Sequence, residues 1–231
     1  MSNPIGGFGN NQSNNIYFKY QATKEIDGNK VPVGKLVRWI KETKAEEFYE
    51  WLAGELVHVG YRLNEGKPDA GVDPYNELIL TLRGVDRSGE VWFYKLPLRA
   101  SGIAAYGVTR RLHHFEAGDP VHIGAGVIDD QANLWIQAIE DDGARTKLEP
   151  VDPGLNFVST EGLTGAKLQA ARTQNAALRE EWVEATVKQF AFFDDGNSGS
   201  TRKYVSAQDT DPVAAHPTVM AEDEYDPFQD E

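Results

Sequence analysis

The sequence predicts a mainly β fold: a five-stranded barrel with one helix between its third and fourth strands, extra strands ahead of it and a helix after it. Three observations predict this. Between residues 57 and 138 apolar and polar residues alternate in successive runs, the period of strands buried on one face. The runs are separated by clusters of Gly, Pro, Asp and Asn, which turn a chain. One stretch, 101–115, breaks the alternation and sets its apolar residues near helical spacing.

Ahead of the barrel, Ile16 to Ala22 and Gly34 to Lys41 read as two extra strands joined by EIDGNKVPV, and KAEEFYEWL reads as a short helix. The first barrel strand carries Val57, Val59, Tyr61 and Leu63 inward, against His58, Gly60 and Arg62 outward. After the loop NEGKPDAGVDPYN, the second strand points Leu78, Leu80 and Leu82 inward, and VDRSGE turns it into the third, VWFYKLPL, as a hairpin. Ser101 is the expected N-cap of the helix, which carries Ile103, Tyr106, Leu112 and Phe115 and is stopped by Gly118, Asp119 and Pro120. Val121, Ile123, Ala125 and Val127 face inward on the fourth strand and Leu134, Ile136 and Ala138 on the fifth, with Asp129, Asp130 and Gln131 making the tight connection. From Thr164 to Phe192 helix formers dominate, and Leu178, Trp182 and Ala185 beside Val183, Val187 and Phe190 give one broad apolar face that must pack on the barrel or on another subunit.

Three strands, a helix and two strands is the order of the OB-fold, a five-stranded Greek-key barrel. Gly60, Gly124 and Gly126 suit such a barrel, because strongly bent strands need residues without a Cβ at their corners. An SH3-like barrel lacks the helix, and a sandwich needs more strands.

At 231 residues the chain is long enough for one sizeable core with appendages. Residues 1–15 are mostly Gly, Asn and Ser, which cannot repay the entropy of ordering, so they form an expected disordered arm. Residues 16–193 are the expected folded domain. Residues 194–231 begin with DDGNSGST, a linker composition, and continue as an acidic tail punctuated by Pro212, Pro217 and Pro227. No apolar run approaches the roughly 18 residues of a bilayer span, and MSNPIGGFGNNQSNN does not read as a secretory signal. With no cysteine, disulfide scaffolds, thiolate metal sites and cysteine nucleophiles are excluded. The expected setting is intracellular, the host cytoplasm if the chain is phage-encoded.

A formal charge of −13 argues at first against a polyanionic partner, but its distribution reverses that. Residues 204–231 hold eight carboxylates and no Lys or Arg, which leaves −5 for the other 203 residues. Residues 28–44 set Lys30, Lys35, Arg38, Lys41 and Lys44 against Glu42 alone, a net +4. Residues 83–114 set six cations against Asp86 and Glu90, again +4. An anion-binding body with an acidic arm shows this segregation.

Catalytic signatures are missing: no GxxxxGK, HExxH or GxSxG, and no GxGxxG between a strand and a helix. Adjacent His113 and His114 diverge by about 100° on a helix and do not share a metal in the usual way. Asp129, Asp130, Asp141 and Asp142 fall in turns, where Asp serves local hydrogen bonding. The expectation is a protein that is not an enzyme and has neither cofactor nor metal.

What remains is a set of rings and cations at outward strand positions: Arg62, Arg83, Phe93, Lys95 and Trp135, with Gln137 beside the last. Single-stranded nucleic acid is held by bases stacked on aromatic faces, about 1–3 kcal/mol per base, and by cations along the phosphates. Arg38, Trp39 and Lys41 form a second candidate group, and Tyr106 among Arg99, Arg110 and Arg111 a third. Blander readings stand beside these. Trp92 and Tyr94 share a face with Leu96 and Leu98 and read as core, Trp51 and Trp182 read as packing, and Trp135 is open to being covered by the late helix.

Past the linker, Glu222, Asp223, Glu224, Tyr225, Asp226 and Phe228 combine repeated carboxylates with two aromatic anchors, a partner-binding composition. A tethered polyanion also competes intramolecularly for a cationic groove at high effective concentration. Strand order, length and acidic tail, over residues 16–150 and 204–231, resemble the single-stranded DNA-binding proteins of bacteriophages. Asp226, Pro227 and Phe228 look like the acidic-Pro-Phe ending of bacterial single-strand-binding tails, though Gln229, Asp230 and Glu231 follow here. The resemblance implies coating of unwound DNA during replication, recombination or repair, with the tail recruiting polymerase, helicase-primase or recombination enzymes. The expected partners are thus single-stranded DNA and replication or recombination proteins, with no membrane and with self-association open. The alternative is an OB-fold protein-interaction module, a replisome adaptor or virion component, whose exposed rings meet protein.

Overall fold

The computed structural model describes residues 15–85 and 89–189. Nine strands and two helices follow in the order β1 (Asn15–Ile26), β2 (Asn29–Ile40), β3 (Ala45–Tyr49), β4 (Trp51–Asn64), β5 (Tyr75–Val85), β6 (Val91–Arg99), α1 (Ile103–Leu112), β7 (Pro120–Ile128), β8 (Gln131–Ile139), β9 (Arg145–Lys147) and α2 (Gly165–Val187). The fold is mainly β, as the alternation predicts. Residues 1–14 of the expected arm, 1–15, and the expected tail, 194–231, lie outside the described residues, while Asn15, the last residue of that arm, opens β1.

All strands belong to one sheet, ordered β3-β2-β1-β6-β5-β4-β7-β8-β9. Among the described residues only the β1–β6 pairing is parallel, through Asn15–Phe93, Ile16–Tyr94 and Tyr17–Lys95. The five expected barrel strands are β4 to β8, and each is found with the helix where it was read. Their hydrogen-bonded sheet is not closed, however, which corrects the expected barrel: β6 takes β1 as its outer neighbour instead of β8. The sheet still curls back on itself, for β2 passes β7 closely. At that approach Gly34, with φ +49°, lies where any Cβ would stand 2.1 Å from the carbonyl oxygen of Gly126.

Local chemistry accounts for most of the elements. Asp27 and Gly28 both take positive φ and form the two-residue hairpin turn between β1 and β2, so the expected long connection EIDGNKVPV is mostly strand. Asp129 and Asp130 do the same between β7 and β8, using the tolerance of Asp for left-handed backbone. A β-bulge between Leu56 and His58 absorbs Val57, after which Val59 and Tyr61 face the core as expected while Leu63 is exposed.

Two expectations are corrected, and one strand was not foreseen. KAEEFYEWL is not a helix: residues 45–49 are β3 and Trp51 opens β4, because its alternating Phe48 and Tyr49 pair across to Val37 and Leu36 of β2. α1 is capped by Gly102 rather than Ser101, whose carbonyl instead accepts from Arg179 Nε of α2 at 2.8 Å. β9, three exposed residues, has no pattern to announce it.

The core fills the concave side of the sheet. Leu56, Leu80, Leu82, Leu96, Ile123 and Ile136 are each at most 1% exposed, and Leu112 of α1 and Val183 of α2 join them. Trp92 and Trp182 pack against this cluster, and Tyr94 is within it, as read from the sequence. At about 25 cal/mol per Å² of apolar surface, such side chains contribute roughly 1.5–3 kcal/mol each. Among the described residues no helix is long and apolar enough to cross a membrane.

Candidate functional site

Directly paired residues on antiparallel strands share a face, so the register determines what stands on the convex side. Glu55, Arg83 and Phe93 form one rung across β4, β5 and β6. His58, Thr81 and Lys95 form the next, and Tyr17 of β1 adds to it beside Lys95. Arg62, Glu77 and Arg99 follow. On the other wing Trp135 pairs with Gly124 and Gln137 with His122. Arg62, Arg83, Phe93, Lys95 and Trp135 therefore all stand on the convex face, where the alternation put them.

Their charges are not equally available. Arg83 is held by Glu55 at 2.5 Å, Arg62 by the buried Glu77 at 3.2 Å, and Arg38 lies 3.7 Å from Glu47. Glu77 is 5% exposed and also accepts from Asn64 Nδ2 at 2.8 Å, so Arg62 neutralises a buried carboxylate. Lys95 and Arg99 enter no ion pair among the described residues. Each instead lies over a ring: Lys95 Nζ is 5.6 Å from the centre of Tyr17, and the Arg99 guanidinium 4.8 Å from that of Tyr75.

A groove of about 770 Å³ opens beside these cations, between β1, β6, α1 and β8. Leu98, Leu134, Ile136 and Trp135 give it apolar walls, Arg99, Arg111 and Lys147 line it as cations, and no carboxylate of the described residues lines it. The Tyr20 hydroxyl, also at the groove, is buried without a hydrogen-bond partner, and burial pushes its pKa up to about 12. Trp135 is half-buried against Gly124 and Gly126 of its neighbour strand, while α2 packs on α1, β4 and β5. These two glycines thus make room for an indole as well as for curvature.

Of the third candidate group, Arg99 alone stands on this wall. Arg110 Nε donates to the Val151 carbonyl at 2.7 Å, and Arg111 donates to Leu148 and Gly107 carbonyls at 3.1 and 2.8 Å. Tyr106 packs edge-on against Phe157 at 5.5 Å, so this cluster clamps the segment 148–157 to α1. His113 and His114 lie beyond the last turn of α1, and their rings come within 3.8 Å instead of diverging. The group at 38–41 is divided: Arg38 shares a face of β2 with the core residue Leu36, Trp39 is 55% exposed on the opposite face, and Lys41 lies in the following turn.

Sequence reading missed Tyr17, Tyr75, Trp51, His122, Arg145 and Lys147, all of which the register or ring contacts bring to the convex face. Trp51 was read as packing inside a helix. It stands instead on an outward rung, its ring stacked on His122 at 5.6 Å and 27°. Only the pairing of β4 with β7, set by residues some 70 positions away, reveals this. The tail residues Glu222, Asp223, Glu224, Tyr225, Asp226 and Phe228 lie outside the described residues.

Comparison with family models, with curated proteins and with solved structures finds no match to this chain.

Proposed function

We propose that this protein binds single-stranded DNA without strong sequence preference and is not an enzyme, serving replication, recombination or repair, with its acidic tail as regulator and partner-binding arm. One observation carries the reading: two convex-face cations that enter no ion pair among the described residues, Lys95 and Arg99, each lie over an aromatic ring, and Arg99 lines an apolar groove that no carboxylate of the described residues lines. Rings offer every base a face, cations track the phosphates, and neither reads sequence. The strand order supports an OB-type architecture: β6-β5-β4-β7-β8 with α1 between β6 and β7 is the order that an OB barrel opened at one seam would have, and β1 takes the outer edge of β6.

Titration of the full chain with oligo(dT) at two salt concentrations, followed by tryptophan fluorescence, tests the reading. The expected result is quenching with an affinity that falls steeply with salt, because phosphate contacts release counterions. No binding at low salt overturns it. The apolar lining of the groove would then favour a module that takes a segment of another protein.

A further inference from the structure

A second ring and cation stand across the groove, on the wing made by β4, β7, β8 and β9. Trp51, Gly124 and Trp135 occupy one rung of three adjacent strands. The two tryptophans are therefore two strand spacings apart, about 9.6 Å between Cα atoms, with a residue lacking a side chain between them. The neighbouring rung is Ala53, His122, Gln137 and Lys147. His122 is 3% exposed, and neither ring nitrogen has a hydrogen-bond partner among the described residues.

An unpartnered buried imidazole costs folding free energy, so its place needs a reason other than stability. Its ring supports the indole of Trp51 from one side, while the Arg145 guanidinium lies 5.8 Å from the centre of that indole. Arg145 and Lys147 enter no ion pair among the described residues, and the strand that carries them, β9, is exposed throughout. This is the combination found at Lys95 with Tyr17, repeated on the far bank of the groove, with a rigid support added.

We propose that Trp51 and Arg145 form a second station for a base and its phosphate, so that a bound single strand crosses the groove from the β1–β6 wall to β9. The inference rests on the single-stranded DNA reading and adds to it a path and two residues. The base stacks on the accessible part of the Trp51 indole, and Arg145 moves from the ring to the phosphate, exchanging a cation–π contact for a charge-assisted hydrogen bond. His122 acts as a positioning residue that keeps the indole flat and in place.

The full chain and its Trp51→Ala, Arg145→Ala and Arg145→Lys variants, titrated with oligo(dT), decide the matter. Losing a stacked base lowers affinity about 5- to 150-fold in Trp51→Ala. Losing one phosphate contact flattens the log–log salt slope by about 0.7 in Arg145→Ala, and Arg145→Lys restores that slope. In the natural protein, oligo(dT) moves the His122 ring-proton resonances, identified by their absence in His122→Phe, because a base arriving on Trp51 changes the ring current there. If Trp51→Ala fails to fold, the Arg145 slope and the His122 resonances give the answer. Oligo(dT) binding to the natural chain, with Arg145→Ala unchanged in affinity and slope and the His122 resonances stationary, overturns the second station and leaves the proposed function standing. Failure of the natural chain to bind oligo(dT) overturns both.

Discussion

The indole of Trp135 lies across Gly124, its cross-strand partner, so closely that a methyl group on that glycine would stand 2.3 Å from Cε2 and 2.4 Å from Nε1. The indole and the β7 backbone thus fit as one surface. Gly124→Ala is expected to lift the ring or bend the strand, costing about 1–3 kcal/mol by overpacking. Gly107→Ala in α1 is the control, since nothing lies within 4 Å of its Cβ position. That change should stabilise by up to about 1 kcal/mol through helix propensity. Urea midpoints measure both, and a red-shifted tryptophan emission in Gly124→Ala alone would show that the ring has moved toward water.

Paired and unpaired cations on the same face should behave oppositely. Arg62→Ala takes from the buried Glu77 carboxylate its ion-pair partner and leaves it neutral donors such as Asn64, so the main expected effect is a loss of about 1–3 kcal/mol in stability with oligo(dT) affinity little changed. Lys95→Ala removes a cation that enters no ion pair among the described residues, so stability should hold while affinity falls and the salt slope flattens by about 0.7. Parallel urea melts and salt titrations of the two variants read the contrast. Equal losses of affinity would mean that ion pairing does not withdraw Arg62 from the strand.

The buried His122 makes stability depend on pH in a window below neutrality. Burial first, and the Arg145 charge second, lower its pKa from 6.5 to about 4. The unfolded chain then binds a proton that the folded chain refuses, so this group's contribution is intact above about pH 6.5 and is lost as pH falls toward 4. The loss is up to about 3 kcal/mol. His122→Phe keeps a ring under Trp51 but has nothing to protonate. Its urea midpoint should be at least that of the natural protein at pH 7, and should fall less between pH 6.5 and 4. Identical pH profiles for the two proteins would locate the acid sensitivity in other groups.

Legibility followed range. Period-two alternation and turn residues are local, and they led to the later part of β4 and to β5, β6, α1, β7 and β8 with their inward and outward sides, hence to Arg62, Arg83, Phe93, Lys95 and Trp135 on one face. Three kinds of feature were not legible. KAEEFYEWL carries good helix formers, and only its pairing with β2 makes a strand of it. Ion pairing such as Arg83 with Glu55 depends on register across strands 28 residues apart, so the sequence could show cations but not which were spent. Closure depends on which strand takes the outer edge of β6: the extra strands were visible, but not that β1 would pair with that edge in parallel, which leaves the sheet unclosed.

The acidic tail offers the last test, because it bears on regulation of the wall and not on the wall itself. Residues 204–231 carry eight carboxylates and no Lys or Arg, joined by a linker composition to a body with a groove lined by Arg99, Arg111 and Lys147. A tethered segment meets such a groove at an effective concentration reaching millimolar, whereas a strand in solution arrives at its bulk concentration. Replacing Glu222, Asp223, Glu224, Asp226, Asp230 and Glu231 with their amides in the full chain, or deleting residues 204–231, should therefore tighten oligo(dT) binding. The gain should be largest near 50 mM salt and fade as the Debye length shrinks from about 10 Å at 0.1 M toward 3 Å at 1 M. Affinity for oligo(dT) at both salts, with the urea midpoint as a check on folding, measures this. Equal affinities near 50 mM would mean that the tail does not compete for the groove and that its carboxylates serve partners alone.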